Sequence, residues 1–116
     1  IGTPKMNILP LKNENIVSDN KINFLGNEII FEKIKFDKKK YFLGIRPEHF
    51  NLSSSSQFKI KPKIDLVENL GNEKIVYMSN DNLELSAKIS SQEDFQNEIN
   101  FDSKDIFIFD EDGNRV

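Results

Sequence analysis

Short segments of alternating apolar and polar residues recur along the whole chain and constrain its fold more than any other feature. The alternation is clearest in residues 58–66 and 83–89, where it is typical of strands with one buried face. Residues 74–78 and 106–109 are shorter, mostly apolar strand candidates. Because turn residues separate these segments at intervals of roughly ten residues, as in small barrels and sandwiches, we predict an all-β fold. We expect a small, OB-like β-barrel of short, mostly antiparallel strands.

Residues 58–66 contain a proline that limits where this strand can lie. Pro62 cannot donate a ladder hydrogen bond, so the strand is expected at a sheet edge or bulged at this point. The alternation places four apolar side chains on one face, namely Phe58, Ile60, Ile64 and Leu66. We therefore expect one strand with these side chains toward the core.

Turn residues elsewhere predict two hairpins, and one apolar run predicts a buried strand. The hairpins join residues 74–78 to 83–89 and residues 22–24 to 29–31. Residues 41–45 are apolar throughout, which is typical of a strand buried on both faces. No segment has the period of a long amphipathic helix, and the best helical turn is residues 91–95.

The composition excludes several classes of function. A length of 116 residues favours one domain, and the absence of cysteine excludes disulfides and thiolate chemistry. A net charge of −3 argues against general binding of polyanions. The chain has neither a GxxxxGK(S/T) nor a GxGxxG phosphate loop, and no apolar stretch of about 18 residues that would cross a membrane. Local chemistry therefore indicates a soluble all-β domain without a catalytic site.

Two local patterns have a chemical and a structural interpretation. Residues 110–114 place oxygen side chains at alternate positions, as a calcium loop does, but Gly113 lies at the fourth place instead of the sixth. A reverse turn with Gly113 at positive φ is favoured there. His49 is the only histidine, and on a strand its neighbour Glu48 would point to the opposite face. A surface or hydrogen-bonded loop histidine is therefore favoured over a catalytic base or a metal ligand.

Lysines near two aromatic residues raise the possibility of a groove for single-stranded nucleic acid. The set comprises the run at residues 38–40 and Lys59, Lys61 and Lys63, with Tyr41 and Phe42 as stacking platforms. The structural interpretation is an exposed polar strand face whose lysines discourage edge-to-edge pairing. The excess of acidic residues elsewhere favours this second interpretation.

Four motifs in a fixed order resemble those of one protein family. Residues 43–50, LGIRPEHF, resemble the LGIRPE(H/D) motif of the ATPase subunits of maltose- and glycerol-phosphate-type ABC importers. Residues 67–77 are similar to the family's V-E-x-L-G-x-E-x-x-V-Y segment. Residues 1–9 resemble its IGSPxMNFL junction after the ATPase domain, and residues 106–113 resemble its terminal strand and turn. In place of a family turn that often contains glycine, this chain has Gln96 and Asn97.

The resemblance implies that residues 1–116 are one C-terminal OB-like domain of the TOBE type. An ATPase domain would precede it and bind ATP and Mg²⁺, while this chain would hold no cofactor and catalyse nothing. The domain would contact a second copy of the ATPase subunit, receive a regulatory protein in some members, and lie in the cytoplasm at the inner face of the membrane. Solute passes through separate membrane subunits, so neither free sugar nor nucleic acid would bind. Two alternatives stay open, a single-stranded nucleic-acid module and a domain for small oxyanions.

The motifs single out seven residues as structural or regulatory contacts: Gly44, Arg46, Pro47, Glu48, Glu68, Gly71 and Glu73. Gly44 is expected to permit a close backbone approach, and Pro47 to fix the direction in which the chain leaves the strand. Arg46 offers a planar fork for a carboxylate, with Glu48 or Glu68 as expected partners. Gly71 is expected to turn the chain so that Glu73 enters the next strand. A role in defining the fold is favoured for the Arg-Pro-Glu segment.

Overall fold

The computed structural model describes residues 4–37 and 39–116, which form eleven strands and three short 3₁₀ helices. The strands are β1 (Asn7–Leu11), β2 (Ile16–Ser18), β3 (Lys21–Phe24), β4 (Asn27–Ile30), β5 (Tyr41–Ile45), β6 (Phe58–Ile60), β7 (Lys63–Asn69), β8 (Glu73–Asn80), β9 (Leu83–Ser90), β10 (Ile99–Phe101) and β11 (Ile106–Asp110). The 3₁₀ helices are Asn13–Asn15, Pro47–His49 and Ser103–Asp105. Residues 1–3 of the junction motif and Lys38 of the lysine run lie outside the described residues.

The strands form four small antiparallel sheets, each of which we call a ladder. Their orders are β1-β5-β11, β10-β6, β2-β3-β4 and β7-β8-β9. This architecture confirms the all-β prediction and is consistent with an OB-like fold. Within the described ranges, no helix has the length and apolar character needed to cross a membrane.

One apolar core receives side chains from every ladder. Leu43 of β5, Ile22 of β3, Met78 of β8 and Phe101 of β10 are each at most 1% exposed. The ring of Phe101 has its centroid within 6.1 Å of three other phenylalanine rings, those of Phe24, Phe50 and Phe58. Two of these three contacts are edge-to-face, the geometry that aromatic pairs prefer. Contacts between these apolar side chains therefore hold the four ladders together.

Strand β5 lies at the centre of its ladder and is covered on both edges. Ile45 pairs with Asn7 of β1 on one side and with Ile106 of β11 on the other. Leu43 and Ile45 face the core, while Phe42 and Gly44 point to the opposite face of the ladder. The prediction of a strand at residues 41–45 is confirmed, but its outer face is only partly covered, since Phe42 is half-buried.

The segment at residues 58–66 is two strands instead of one. The chain breaks at Lys61 and Pro62, so that β6 pairs with β10 while β7 forms the edge of the β7-β8-β9 ladder. A bulge between Ile64 and Leu66 reverses the alternation, and Leu66 is 60% exposed. The prediction of an edge or bulge near Pro62 was right. The prediction that Leu66 shares a core face with Ile60 was wrong, because the break and the bulge each reorient the chain.

Both predicted hairpins are present, and the predicted helical turn is reduced to a single turn capped by Ser90, whose carbonyl accepts from the amide of Glu93 and whose hydroxyl accepts from the amide of Gln92. Strands β8 and β9 are joined by Asp81 and Asn82, both at positive φ, which is the two-residue turn that matches strand twist. Residues 91–95 form no helix. The amide of Ser91 instead donates to the carbonyl of Asn72, and this contact ties the chain to the turn between β7 and β8. Asn97 has a φ of 65°, so asparagine adopts the left-handed conformation that glycine favours.

Candidate interaction surface

The Arg-Pro-Glu segment begins where β5 ends. Pro47 is the first residue of the 3₁₀ helix Pro47–His49 and is fully buried, while Arg46 and Glu48 on either side are exposed. The amide of His49 donates to the carbonyl of Arg46 at 3.0 Å. Proline suits the first helical position because its φ is already fixed and that position needs no donor. Pro47 therefore sets the direction in which the chain leaves β5, as predicted.

Gly44 allows two side chains to lie flat on the outer face of the β1-β5-β11 ladder. A Cβ atom on Gly44 would stand 2.7 Å from Cε2 of Phe109 and 2.8 Å from Sδ of Met6. The predicted close approach is real, but side chains make it and not backbone. We call this outer face the apolar face, and its side chains are Met6, Ile8, Phe42, Phe107 and Phe109. Ile8 is 49% exposed, and the other four are half-buried.

Arg46 lies at one end of the apolar face, beside a second arginine. Its guanidinium carbon is 5.6 Å from the centroid of the Phe107 ring, and that of Arg115 is 4.5 Å from the same centroid. Neither arginine has a carboxylate within 4.0 Å among the residues that the structure describes. The prediction that Arg46 pairs with Glu48 or Glu68 was wrong. Arg46 continues the outward-facing positions of β5 that include Phe42 and Gly44, and its side chain therefore lies over Phe107. Glu68 belongs to another ladder.

A shallow cleft of about 360 Å³ lies at the other end of the apolar face. Its apolar lining is Ile8, Phe42 and Phe109, and Asp110 and Glu111 form an acidic rim. One oxygen of Asp110 accepts hydrogen bonds from the amides of Asp112 and Asn114, at 3.0 and 2.9 Å.

The turn that follows β11 has the form predicted for residues 110–114. Gly113 has a φ of 83°, and the Asp110 carboxylate is engaged by backbone amides of the turn. This confirms the reverse turn that the sequence favoured over a calcium loop. Within residues 4–37 and 39–116, no three His, Cys, Asp or Glu residues cluster as metal ligands.

The second family motif lies in the hairpin of β7 and β8. Gly71 has a φ of 96°, and its amide donates to the side chain of Asn69 at 3.0 Å. Glu73 begins β8 and its carboxylate lies 3.4 Å from the ammonium of Lys88. The turn predicted at Gly71 is therefore present. No hydrogen bond or ion pair between described residues joins Glu68, Gly71 or Glu73 to the Arg-Pro-Glu segment, so the two motifs occupy separate places.

His49 is half-buried against the Ser103–Asp105 helix. Its Nδ1 lies 3.8 Å from Oδ1 of Asp105, which is too long for a hydrogen bond. The expectation of a surface or hydrogen-bonded loop histidine was therefore incomplete. The sequence suggested only the neighbouring Glu48 as a partner, and no local pattern points to Asp105, which is distant in the sequence.

The aromatic ring expected to stack on nucleic acid is buried. Tyr41 is 4% exposed, and its hydroxyl donates to Oδ1 of Asp37 at 2.8 Å. Burial raises the pKa of Tyr41. Two hydrogen bonds lower the pKa of the Asp37 carboxyl. The one from the backbone amide of Lys39 has the larger effect, and the one from the Tyr41 hydroxyl the smaller. Tyr41 is therefore not available to stack on a base, and the ammonium of Lys59 lies 3.9 Å from a carboxylate oxygen of Glu98.

A buried asparagine that the sequence analysis did not single out connects the ladder of the apolar face to a second ladder. Asn7 is 8% exposed, and its side-chain amide donates to the carbonyls of Ile45 and Ser86, both at 2.9 Å. Its oxygen accepts from the amide of Ser86 at 2.8 Å. Asn7 thereby links β1 and β5 to β9. The sequence offered one signal for Asn7, because the junction motif also has an asparagine at this position.

About two-thirds of the chain is similar to one kind of curated protein. The maltose/maltodextrin import ATP-binding protein MalK of Vibrio cholerae is 38% identical over 85 residues, which cover 68% of this chain and 22% of that protein. The MalK proteins of Yersinia pestis and Yersinia pseudotuberculosis are 34% identical over 83 residues, which cover 67% of this chain and 22% of each relative. The chain thus spans about a fifth of the length of the curated relatives it matches. No family model matches the chain.

Proposed function

We propose that this chain is the C-terminal accessory domain of the ATP-binding subunit of an ABC importer for sugars or related solutes. The observation that carries the proposal is the identity of 34–38% to MalK proteins over about two-thirds of the chain. The all-β, OB-like fold and the four ordered motifs support the same assignment. In this proposal the domain is of the TOBE type, and an ATPase domain precedes residue 1 in the longer protein.

The proposed role of the domain is to hold two ATPase subunits together and to receive regulatory proteins. The chain by itself catalyses nothing, because ATP and Mg²⁺ bind in the ATPase domain, where a phosphate loop is expected. The full-length subunit works as a homodimer in the cytoplasm, against the membrane subunits through which the solute passes. Neither free sugar nor nucleic acid binds to the domain. The half-buried apolar face supports this role, since exposed apolar surface on a small domain marks contact with another protein.

A chimera tests the proposal. Residues 1–116 replace the region of Vibrio cholerae MalK that contains the 85-residue match, and an unrelated OB-type domain of similar length in the same place is the control. We expect the chimera to dimerise and to support maltose uptake in cells that lack MalK, while the control chimera does neither.

Two results would contradict the proposal. One is a folded chimera that binds ATP but sediments as a monomer and supports no uptake. The other is ATP hydrolysis by the isolated 116-residue chain at a rate above that of a denatured sample, because a domain without a phosphate loop has no means to position the triphosphate.

A further inference from the structure

The apolar face carries opposite charges at its two ends. Arg46 and Arg115 lie over Phe107 at one end, and Asp110 and Glu111 form the acidic rim of the cleft beside Phe109 at the other. From Phe107 to Asp110, the last residue of β11, the extended strand spans about 10 Å. Between the charged ends lie the half-buried side chains of the apolar face and the cleft of about 360 Å³.

Neither charged end is neutralised by the described part of the chain. Both guanidinium groups lie at one phenylalanine ring without a carboxylate within 4.0 Å, and Glu111 has no cation within that distance among the described residues. Each planar guanidinium can donate two parallel hydrogen bonds to a carboxylate of another molecule. The arginines at one end of the face can therefore pair with the carboxylates at the other end of a second copy.

We infer that the apolar face is a self-complementary surface on which a second copy of this chain docks face to face. This inference rests on the proposed function and specifies the surface through which the two subunits meet. A two-fold axis across the strands reverses their direction in the partner copy. Arg46 and Arg115 of each copy then meet the acidic rim of the other, and the apolar side chains pack between the two sheets. A two-fold axis along the strands would instead place arginines against arginines.

The size of the face predicts weak association. Three strands about 4.8 Å apart, each with about five residues at 3.3 Å per residue, cover about 240 Å² in projection. Even doubled for surface relief, this area is below the roughly 800 Å² per partner of a standard stable interface. The isolated chain is therefore expected to self-associate with a dissociation constant on the order of millimolar. Linkage to a second dimerising domain supplies an effective concentration in the millimolar range, at which such a surface becomes occupied.

Site-directed crosslinking tests the surface, and the absence of native cysteine makes the readout specific. Ile8→Cys places a thiol on the apolar face, and Ile30→Cys is the matched control on β4, with 58% exposure against 49% for Ile8. Each variant is treated with a short bismaleimide at about millimolar protein, the expected range of the dissociation constant. We expect covalent dimer from Ile8→Cys to form about tenfold faster than from Ile30→Cys, as for an association about ten times more frequent.

A charge reversal tests the two-fold arrangement. Arg115→Glu in the Ile8→Cys background is expected to slow crosslinking about tenfold, because both symmetric contacts change sign. Adding Glu111→Arg restores the opposite charges across the interface and is expected to restore the rate. Both side chains are exposed and lie outside the strands, so circular dichroism of each variant should match that of the parent. A double variant that stays as slow as Arg115→Glu would overturn the two-fold arrangement.

Sedimentation equilibrium separates failure of this surface from failure of the proposed function. Equal crosslinking rates at positions 8 and 30 overturn the surface, whether or not the chain sediments as a dimer at high concentration. In the MalK chimera, a dimer that Ile8→Cys does not crosslink likewise overturns the surface while the dimerisation role stands. A folded chimera that stays monomeric contradicts the dimerisation role itself.

Discussion

Replacing Asn7 with alanine removes the amide that connects the ladder of the apolar face to β9. The amide of Ser86 loses its acceptor in the protein interior, at a cost of about 1–3 kcal/mol, and the carbonyls of Ile45 and Ser86 each lose a bond worth about 0.5–1.5 kcal/mol net. We expect the free energy of unfolding to fall by about 3 kcal/mol, a large fraction of the roughly 5–15 kcal/mol typical of a domain.

Urea denaturation followed by far-ultraviolet circular dichroism measures this loss, since the chain contains no tryptophan for fluorescence. With a slope of about 1–3 kcal/mol per molar urea, the midpoint should move down by about 1–3 M. Asn13→Ala is the matched control, because Asn13 is exposed and its side chain makes no hydrogen bond to a described residue. If the two variants differ by less than about 0.5 kcal/mol, within the usual range of surface substitutions, the link through Asn7 does not stabilise the fold.

The variant Asn7→Asp sharpens the same test. It keeps an oxygen for the amide of Ser86 but replaces the donor group with a second oxygen that faces two carbonyls. Burial and the carbonyl dipoles should raise the pKa of the new carboxyl above about 3.9, the unfolded value. A group with a raised folded pKa favours the folded state below its unfolded pKa and loses that contribution as pH rises. Asn7→Asp should therefore be less stable than Asn7→Ala at neutral pH and recover toward pH 4.

Three further substitutions or titrations test other parts of the fold. Gly44→Ala should cost about 1–3 kcal/mol in thermal unfolding, because its Cβ would overlap the Phe109 ring; adding Phe109→Leu should recover part of the loss. Gly71→Ala has open space but a φ of 96°, so it should cost about 1 kcal/mol and Gly71→Asn less; equal costs would contradict this explanation. In a Tyr77→Phe variant, phenolate absorbance should show Tyr41 titrating above its ordinary pKa of 10.0. Because that pKa is raised on folding, the stability of Tyr77→Phe should hold below pH 10 and decline as pH rises further, and a midpoint at or below 10 would count against the buried hydroxyl.

The strands that could be predicted are those whose pattern follows from pairing between neighbours in sequence. The β8-β9 hairpin has regular alternation and a two-residue turn, so local residues suffice to define it. Strand β5 was recognisable because it is central in its ladder, with one face in the core and apolar side chains on the other face as well. The reverse turn at Gly113 likewise depends only on residues within a few positions.

The features that escaped prediction depend on residues distant in the sequence. A bulge between Ile64 and Leu66 adds one residue to β7 relative to β8, and no local pattern distinguishes it from continued alternation. The position of Arg46 over Phe107 required knowing that β11 pairs with β5. The importance of Asn7 required knowing that Ser86 lies beside it. For the candidate surface, sequence identified Gly44 and Arg46 but not the phenylalanines that surround them.

The position of β5 between β1 and β11 has a consequence for synthesis on the ribosome. The β7-β8-β9 ladder joins neighbouring segments and can form as soon as its own residues have emerged, because its contacts are local. The β1-β5-β11 ladder waits for residues 106–110, although β1 and β5 emerge long before. Phe107 and Phe109 complete the apolar face, so a nascent chain does not yet carry the surface that we assign to pairing of copies. Pairing through this face, as we propose it, therefore requires that residues 106–110 of both copies have left their ribosomes.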